Sequence, residues 1–230
     1  MSPRKRFDRS LLPERPDLTF ERNLWDEGLC FVAGVDEAGR GALAGPVAAG
    51  AVVLPSDFSN LAERLKGVKD SKVMTAKDRD VWALAIKDIA VDWGVGFASA
   101  DEIDRIGIVP ATYLAVKHAL AQVKCSVEHI LVDYLTLPEV RVAQTPLVKG
   151  DARSLSIASA AVLAKTSRDA LLVQMDEEFP GYGFASNKGY ATKAHRTSIR
   201  KLGPCEQHRR SFSPIMAYYS LFPPDQLKNK

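Results

Sequence analysis

The stretch that most constrains this chain is SLSIASAAVLAKTSRDALLVQMDEEF, residues 154–179. It has the length of a long helix, and its first two turns are almost entirely small and apolar. A helix with no polar side to give to water is packed inside a core. The rest of the chain has to surround it.

Short apolar runs supply a sheet to do so. FVAGV (31–35), the Val-rich PVAAGAVVL (46–54) and VDWGVGFASA (91–100) read as three strands in a meander. In the third, Val91, Trp93, Val95 and Phe97 alternate with Asp92, Gly94, Gly96 and Ala98. HILVD (129–133) and TPLVKGD (145–151) read as two further strands, each ending in an acid. A helix over the 80s has Val81, Leu84, Ala85 and Ile89 on one face, and another starts at Pro110 with Leu114, His118 and Ala121 near one stripe. Later helices follow at 191–203, closed by Gly203-Pro204, and at 214–222. Residues 1–30 form a polar extension with one short helix. Strand-helix-strand parts in this order predict an α/β fold, a mixed sheet with helices on its faces.

At 230 residues and 46% hydrophobic composition, one domain is the expectation. No run of 18 apolar residues suggests a membrane span, and MSPRKRFDRS lacks the apolar segment of a signal peptide. Cys30, Cys125 and Cys205 are few, odd in number and far apart, which fits a reducing cytoplasm and no disulfide framework. The net charge of +3 says little about partners, but its distribution says more. Lys188, Lys193, Arg196, Arg200, Lys201, Arg209 and Arg210 face one acid, Glu206, between positions 188 and 210. Such a run is either a solvated face or a phosphate-contacting patch.

GVDEAGRGALAGPV (34–47) raises the question of chemistry. Gly39, Gly41 and Gly45 have the wrong spacing for a dinucleotide fingerprint, and a strand follows them instead of a helix. No GK[ST] makes a Walker A loop. Asp36 and Glu37 alone could be an exposed turn pair, but acids recur at strand ends, with Asp133 after HILV and Asp151 after PLVKG. If those strands lie side by side, the carboxylates converge at one edge and repel one another unless neutralised. Mg2+ takes such carboxylates together with substrate phosphate oxygens. Two such ions about 4 Å apart can activate a water and stabilise a leaving oxygen in phosphodiester cleavage. A glycine-rich backbone beside them lets a nucleic-acid strand come close.

These residues carry a family resemblance. GVDEAGRGALAGPV, KDSK (69–72), LVD (131–133), KGD (149–151), IASAAVLAKTSRD (157–169), NKGYATKAH (187–195) and HRRSFSPI (208–215) resemble, in order, the blocks of bacterial ribonuclease HII. The resemblance implies a ribonuclease-H-like, five-stranded mixed sheet flanked by helices, with a helical C-terminal extension that grips the duplex. It divides the chain into an extension (1–30), a catalytic domain (31–195) and a duplex-binding region (196–230). It implies four metal-binding acids, Asp36, Glu37, Asp133 and Asp151, holding two ions of Mg2+ or Mn2+ in the catalytic complex. Gly39, Arg40 and Gly41 correspond to the loop that meets the ribose 2′-OH, Tyr190 to the tyrosine that stacks on the following deoxynucleotide sugar, and Lys72 to a backbone-contacting lysine.

The implied activity is endonucleolytic. It hydrolyses the RNA strand of RNA–DNA hybrids and cuts 5′ of single ribonucleotides in duplex DNA, leaving 3′-hydroxyl and 5′-phosphate ends. The implied protein is a cytoplasmic monomer with a role in ribonucleotide excision repair, partnered by nucleic acid and by no membrane. The related HIII class carries a larger N-terminal domain than the roughly thirty residues ahead of the first motif here. Two places depart from the pattern: Tyr134 stands where the family has Gly, and Gly107 and Pro110 stand where it has Asn and Gln. Lys165 and Arg168 either pair with acids or reach phosphate, and the residues leave both open. His195 and His208, in cationic surroundings, read as structural or phosphate-contacting. A non-enzymatic hybrid-binding module would leave the strand-end acids unexplained, and a junction-resolving nuclease would leave Gly39-Arg40-Gly41 and Tyr190 unexplained.

Overall fold

The computed structural model describes residues 7–8 and 12–221. Five strands, β1 (Val32–Ala38), β2 (Val47–Val53), β3 (Asp92–Ala98), β4 (His129–Asp133) and β5 (Ala143–Leu147), form one sheet in the order β3-β2-β1-β4-β5. The meander β1-β2-β3 is antiparallel, and β4 and β5 run parallel to β1. The helices are α1 (Thr19–Asp26), α2 (Leu61–Arg64), α3 (Ala76–Ile89), α4 (Ala100–Ile106), α5 (Ile108–Leu120), α6 (Leu155–Glu178), α7 (Phe184–Asn187), α8 (Lys193–Leu202) and α9 (Ser213–Leu221). The expected mixed sheet with flanking helices is the observed one, although α4 was not read from the sequence. The boundary drawn between 195 and 196 falls inside α8, and residues 222–230 lie outside the described part.

The apolar helix does what its composition requires. α6 crosses β1 and β2, and its first ten residues, Leu155 to Ala164, are all buried. Small residues are needed because the backbones nearly touch. A Cβ built on Gly50 of β2 would stand 2.3 Å from the Ala160 carbonyl oxygen. Ser154 caps the helix, its hydroxyl accepting from the Ile157 N–H at 3.2 Å.

α5 covers the opposite face, and here the sequence reading needs correction. It begins at Ile108 behind Gly107, whose φ of +84° suits glycine, so Pro110 lies within the first turn and does not start it. Its buried face is Ala111, Thr112, Ala115, Val116 and Ala119, whereas His118 and Ala121 are exposed. The reason is on β3: Cβ atoms on Gly94 and Gly96 would stand 2.1 and 2.2 Å from carbonyl oxygens of Ala119 and Ala115. The alternation of β3 therefore separates two covered faces, one facing α5 and the other lined by Trp93, Val95 and Phe97.

In α3, Val81 and Leu84 are exposed, at 55% and 71%, and Ala83 and Ile86 are buried beside Trp82, Ala85 and Ile89. Two apolar stripes compete on this helix. The one carrying Trp82, which packs against Gly67, faces inward.

Two strand ends also differ from the reading. β1 continues through Asp36 and Glu37, so both acids are strand residues and point to opposite faces. β5 ends at Leu147, four residues before Asp151, and it accommodates Pro146 because it is an edge strand. Asp151 sits instead in a 3-10 turn, Gly150–Ala152, entered through Lys149 at φ +59°. Tyr134, in the position where the resemblance expects glycine, adopts a left-handed φ of +60°.

Candidate active site

The parallel pairing of β1 with β4 does the first work. Val35 is level with Val132, so the next residues along, Asp36 and Asp133, stand side by side on the face that α6 covers. The 3-10 turn before α6 then brings in Asp151. Each of the three offers a carboxylate oxygen within 4.8 Å of the others, and Asp36 and Asp151 are buried. Glu37, one residue on from Asp36, is outside this set, and its Oε1 accepts from Arg40 Nη1 at 3.1 Å. Its charge still reaches Asp36 and Asp133.

Little inside the protein neutralises the cluster. Asp36 Oδ1 accepts from the Glu37 N–H at 2.7 Å, Asp133 Oδ1 from the Gly150 N–H at 2.7 Å, and Asp151 Oδ2 from Lys72 Nζ at 2.8 Å. Asp151 Oδ1 is buried with no hydrogen-bond partner among the described residues. Burial, and then the charges of Glu37, Asp133 and Asp151, hold the Asp36 carboxyl well above the usual range. Burial and the Asp151 charge push Asp133 up to about 6, against the Gly150 hydrogen bond. Burial works against the Lys72 ammonium, but its hydrogen bond and charge contact with Asp151 hold it above its ordinary value. A hard divalent cation fits this donor set: it would take the orphaned oxygen and remove the repulsion that raises Asp36 and Asp133.

Beside the acids runs the loop Gly39-Arg40-Gly41. Gly39 has φ +89°, and a Cβ there would lie 2.0 Å from Arg168 Nε. Gly41 is exposed, and a Cβ there would meet nothing within 4 Å. The fold thus requires the first glycine but not the second, whose openness faces outward.

Across from it, half-buried Tyr190 has Lys165 Nζ 5.2 Å and the Arg168 guanidinium 5.4 Å from its ring centre. The two open cases on α6 are now resolved. Lys165 pairs with Asp169 at 2.7 Å, and Arg168 is fully buried and donates to backbone carbonyls.

Tyr190 is held from behind by two buried histidines. His208 Nδ1 lies 3.0 Å from the Cys205 N–H, which requires a lone pair there, so the His208 proton sits on Nε2. That proton is donated to His195 Nε2 at 3.1 Å, leaving His195 Nδ1–H to donate to the Tyr190 carbonyl at 2.9 Å. Both rings are structural, and burial lowers the basicity of each.

The basic run divides. Lys193, Arg196, Arg200, Lys201 and Arg210 are exposed and Lys188 is half-buried, but Arg209 is fully buried and belongs to no surface patch. Sequence reasoning missed this, along with the histidine pair, since a charge or imidazole looks the same in sequence whether it faces water or carbonyls.

The sequence matches the family model described as Ribonuclease HII over residues 33–215. A ribonuclease HII of Synechococcus sp. (strain JA-3-3Ab) is 51% identical over 201 residues, covering 87% of this chain and 90% of that protein. The ribonuclease H2 structure from Pyrococcus horikoshii OT3 is similar with a TM-score of 0.67 at 25% identity, covering 83% of this chain and 98% of that one. The structure of Bst-RNase HIII in complex with Mn2+ shares the fold, with a TM-score of 0.62 at 19% identity over 84% of this chain and 70% of that one.

Proposed function

The chain belongs to the ribonuclease HII family, and from that premise we propose that it hydrolyses the RNA strand of RNA–DNA hybrids and also cuts 5′ of single ribonucleotides embedded in duplex DNA. The observation that carries this reading is the convergent triad of buried Asp36 and Asp151 with half-buried Asp133, with an orphaned oxygen on Asp151, next to an open glycine loop. Asp36, Asp133 and Asp151, with Glu37 beside them, would hold two divalent cations, Mg2+ or Mn2+. When bound, such cations supply the positive charge that activates a water and stabilises the leaving oxygen.

The remaining roles belong to this chain's own groups. The Gly39-Arg40-Gly41 backbone approaches the ribose where Gly41 leaves room, and it offers hydrogen bonds to the 2′-OH. Base identity carries no information about a misplaced ribonucleotide, so the hydroxyl is the signal. Tyr190 packs on the sugar of the next deoxynucleotide. Lys72, with a side chain 69% exposed, can reach a backbone phosphate. Arg196, Arg200, Lys201 and Arg210 in the region 196–230 grip the duplex outside the catalytic part, residues 31–195. Products carry 3′-hydroxyl and 5′-phosphate ends. Three free cysteines suit a monomer working in the reducing cytoplasm, and among the described residues no helix is long and apolar enough to cross a membrane.

The test is a labelled DNA duplex with one ribonucleotide, incubated with Mg2+ and mapped to a single nucleotide. Cleavage on the 5′ side of the ribonucleotide is expected, and Tyr190→Ala should depress it severely. Cleavage elsewhere, or wild-type rates in Tyr190→Ala, would remove the reading of the embedded ribonucleotide.

A further inference from the structure

Two guanidinium groups lie fully buried beneath the glycine loop, and neither forms an ion pair among the described residues. Arg209 donates to the carbonyls of Gly39 (2.8 Å), Arg40 (2.8 Å) and Gly45 (3.0 Å). Arg168 donates to Pro46 (2.8 Å), Ala44 (3.0 Å) and Lys188 (2.9 Å). Six carbonyls converge on two side chains from α6 and from the segment ahead of α9. Buried cations without carboxylate partners are costly, and carbonyl dipoles compensate them only where all point inward. Burial, and then the charge of Arg168, lower the basicity of the Arg209 guanidinium.

The arrangement has a consequence on the outer side of the loop. With the Gly39 and Arg40 carbonyls turned inward, the N–H groups of Arg40 and Gly41 are left with no acceptor among the described residues. Arg168 also binds the carbonyl of Lys188, two residues before Tyr190, and lies 5.4 Å from the Tyr190 ring. One buried side chain therefore ties the chain just after the loop, at Ala44 and Pro46, to the residue two before Tyr190, and its Nε lies under Gly39.

We propose that Arg168 and Arg209 are specificity-determining positioning residues: Arg209 holds the Gly39 and Arg40 carbonyls inward so that the loop amides face the 2′-OH, and Arg168, bound to the Ala44, Pro46 and Lys188 carbonyls, sets the loop at a fixed distance from Tyr190. The proposal rests on the reading of Gly39-Arg40-Gly41 as the hydroxyl-sensing loop. Selectivity for a ribonucleotide is then set one layer below the surface that touches it. Lysine at either position keeps the charge but cannot satisfy three diverging carbonyls as a planar fork does.

The experiment measures binding in an Asp133→Asn background, where turnover does not interfere, to a duplex with one ribonucleotide and to the same duplex in all DNA. The parent should prefer the ribonucleotide by about tenfold, the value of one hydrogen bond to a group otherwise left unpaired. Arg168→Lys and Arg209→Lys should each lower that preference to about one while affinity for the all-DNA duplex stays within about twofold. A merely structural role would weaken both duplexes together. Lysine variants that keep the parent's preference overturn the proposal alone, and a parent with no preference overturns the loop reading and the proposal with it. The unmutated protein gives a second readout independent of whether the variants fold. The amide resonances of Arg40 and Gly41 should shift on the ribonucleotide duplex and not on the all-DNA duplex. Equal shifts on both would overturn the proposal.

Discussion

His208→Asn removes a titration whose size follows from burial. In the folded protein, burial and then the neighbouring His195 push the His208 imidazole down to about 4, against about 6.5 in an unfolded chain. The unfolded chain therefore binds a proton that the folded one refuses. That stability is present above the unfolded value, is lost as pH falls from about 6.5 toward about 4, and stays lost below. The linkage relation gives a fall of about 1.8 kcal/mol between about pH 7 and about pH 5.

Asp133 works the other way in the absence of metal. Its carboxyl is raised to about 6, so the folded state holds the extra proton and its contribution declines as pH rises through about 6. Over the same interval that amounts to about 1 kcal/mol once screening of a half-buried group is allowed for. The two titrations oppose each other, so the metal-free protein should have a flatter acid profile than either alone. Asparagine at 208 keeps an acceptor for the Cys205 N–H but cannot titrate. Denaturant unfolding across this range should show the variant less stable at neutral pH yet nearly level with the wild type near pH 5. Wild-type and His208→Asn profiles that run parallel would refute the neutral, buried His208. So would a nitrogen NMR spectrum in which His208 carries its proton on Nδ1.

Four further outcomes follow from the same geometry. Asp133→Asn should abolish turnover while hybrid binding persists, and in metal-free buffer near neutral pH it should be more stable than the parent; near-normal cleavage in Mg2+ would take Asp133 out of the site. Gly39→Ala forces a Cβ to 2.0 Å from Arg168 Nε at φ +89° and should lower the melting temperature, at a cost of order 1–3 kcal/mol. Gly41→Ala has open space around its Cβ and should melt like the wild type while losing kcat/KM on ribonucleotide-bearing duplexes. Arg196→Ala and Arg200→Ala should each flatten the log–log salt dependence of duplex binding by about 0.9, measured by titration at several salt concentrations.

What the sequence made legible was local and periodic. The four strands up to Asp133 and the small-residue helix 154–179 lie close to where their patterns put them, because alternation and apolar composition are consequences of burial itself. The convergence of Asp36 with Asp133 followed from pairing two strands with aligned ends. Asp151 also converges, but by a turn through left-handed Lys149 that carries no local signature, lysine being no usual resident of that conformation. The faces of α3 and α5 were misread where the partner surface decides. The glycines of β3 select alanines on α5, and Trp82 outweighs the stripe of Val81 and Leu84. Arg209 shows the remaining limit. Five of the seven cations in its run are exposed, and only the loop carbonyls gathered by the tertiary fold mark it as internal.

The charge balance at the acids explains why Lys72 can serve the site in two ways. Asp36, Glu37, Asp133 and Asp151 are four acids, and among the described residues the ion pairs that reach them come from two cations, Arg40 and Lys72, leaving a formal excess of two negative charges. The Lys72 side chain is 69% exposed whereas that of Asp151 is 4% exposed, so only the lysine end of this pair lies in water. Lys72 could turn to another anion once a cation compensated the buried Asp151 carboxylate, and its raised basicity keeps it charged whichever partner it has. The repulsion among Asp36, Asp133 and Asp151 is not relieved by that one contact. It is relieved by a cation that reaches Asp151 Oδ1, the oxygen the fold leaves without a partner. The protein thus keeps its acids underneutralised on its own account, a balance that a divalent ion would offset better than a further lysine at this point.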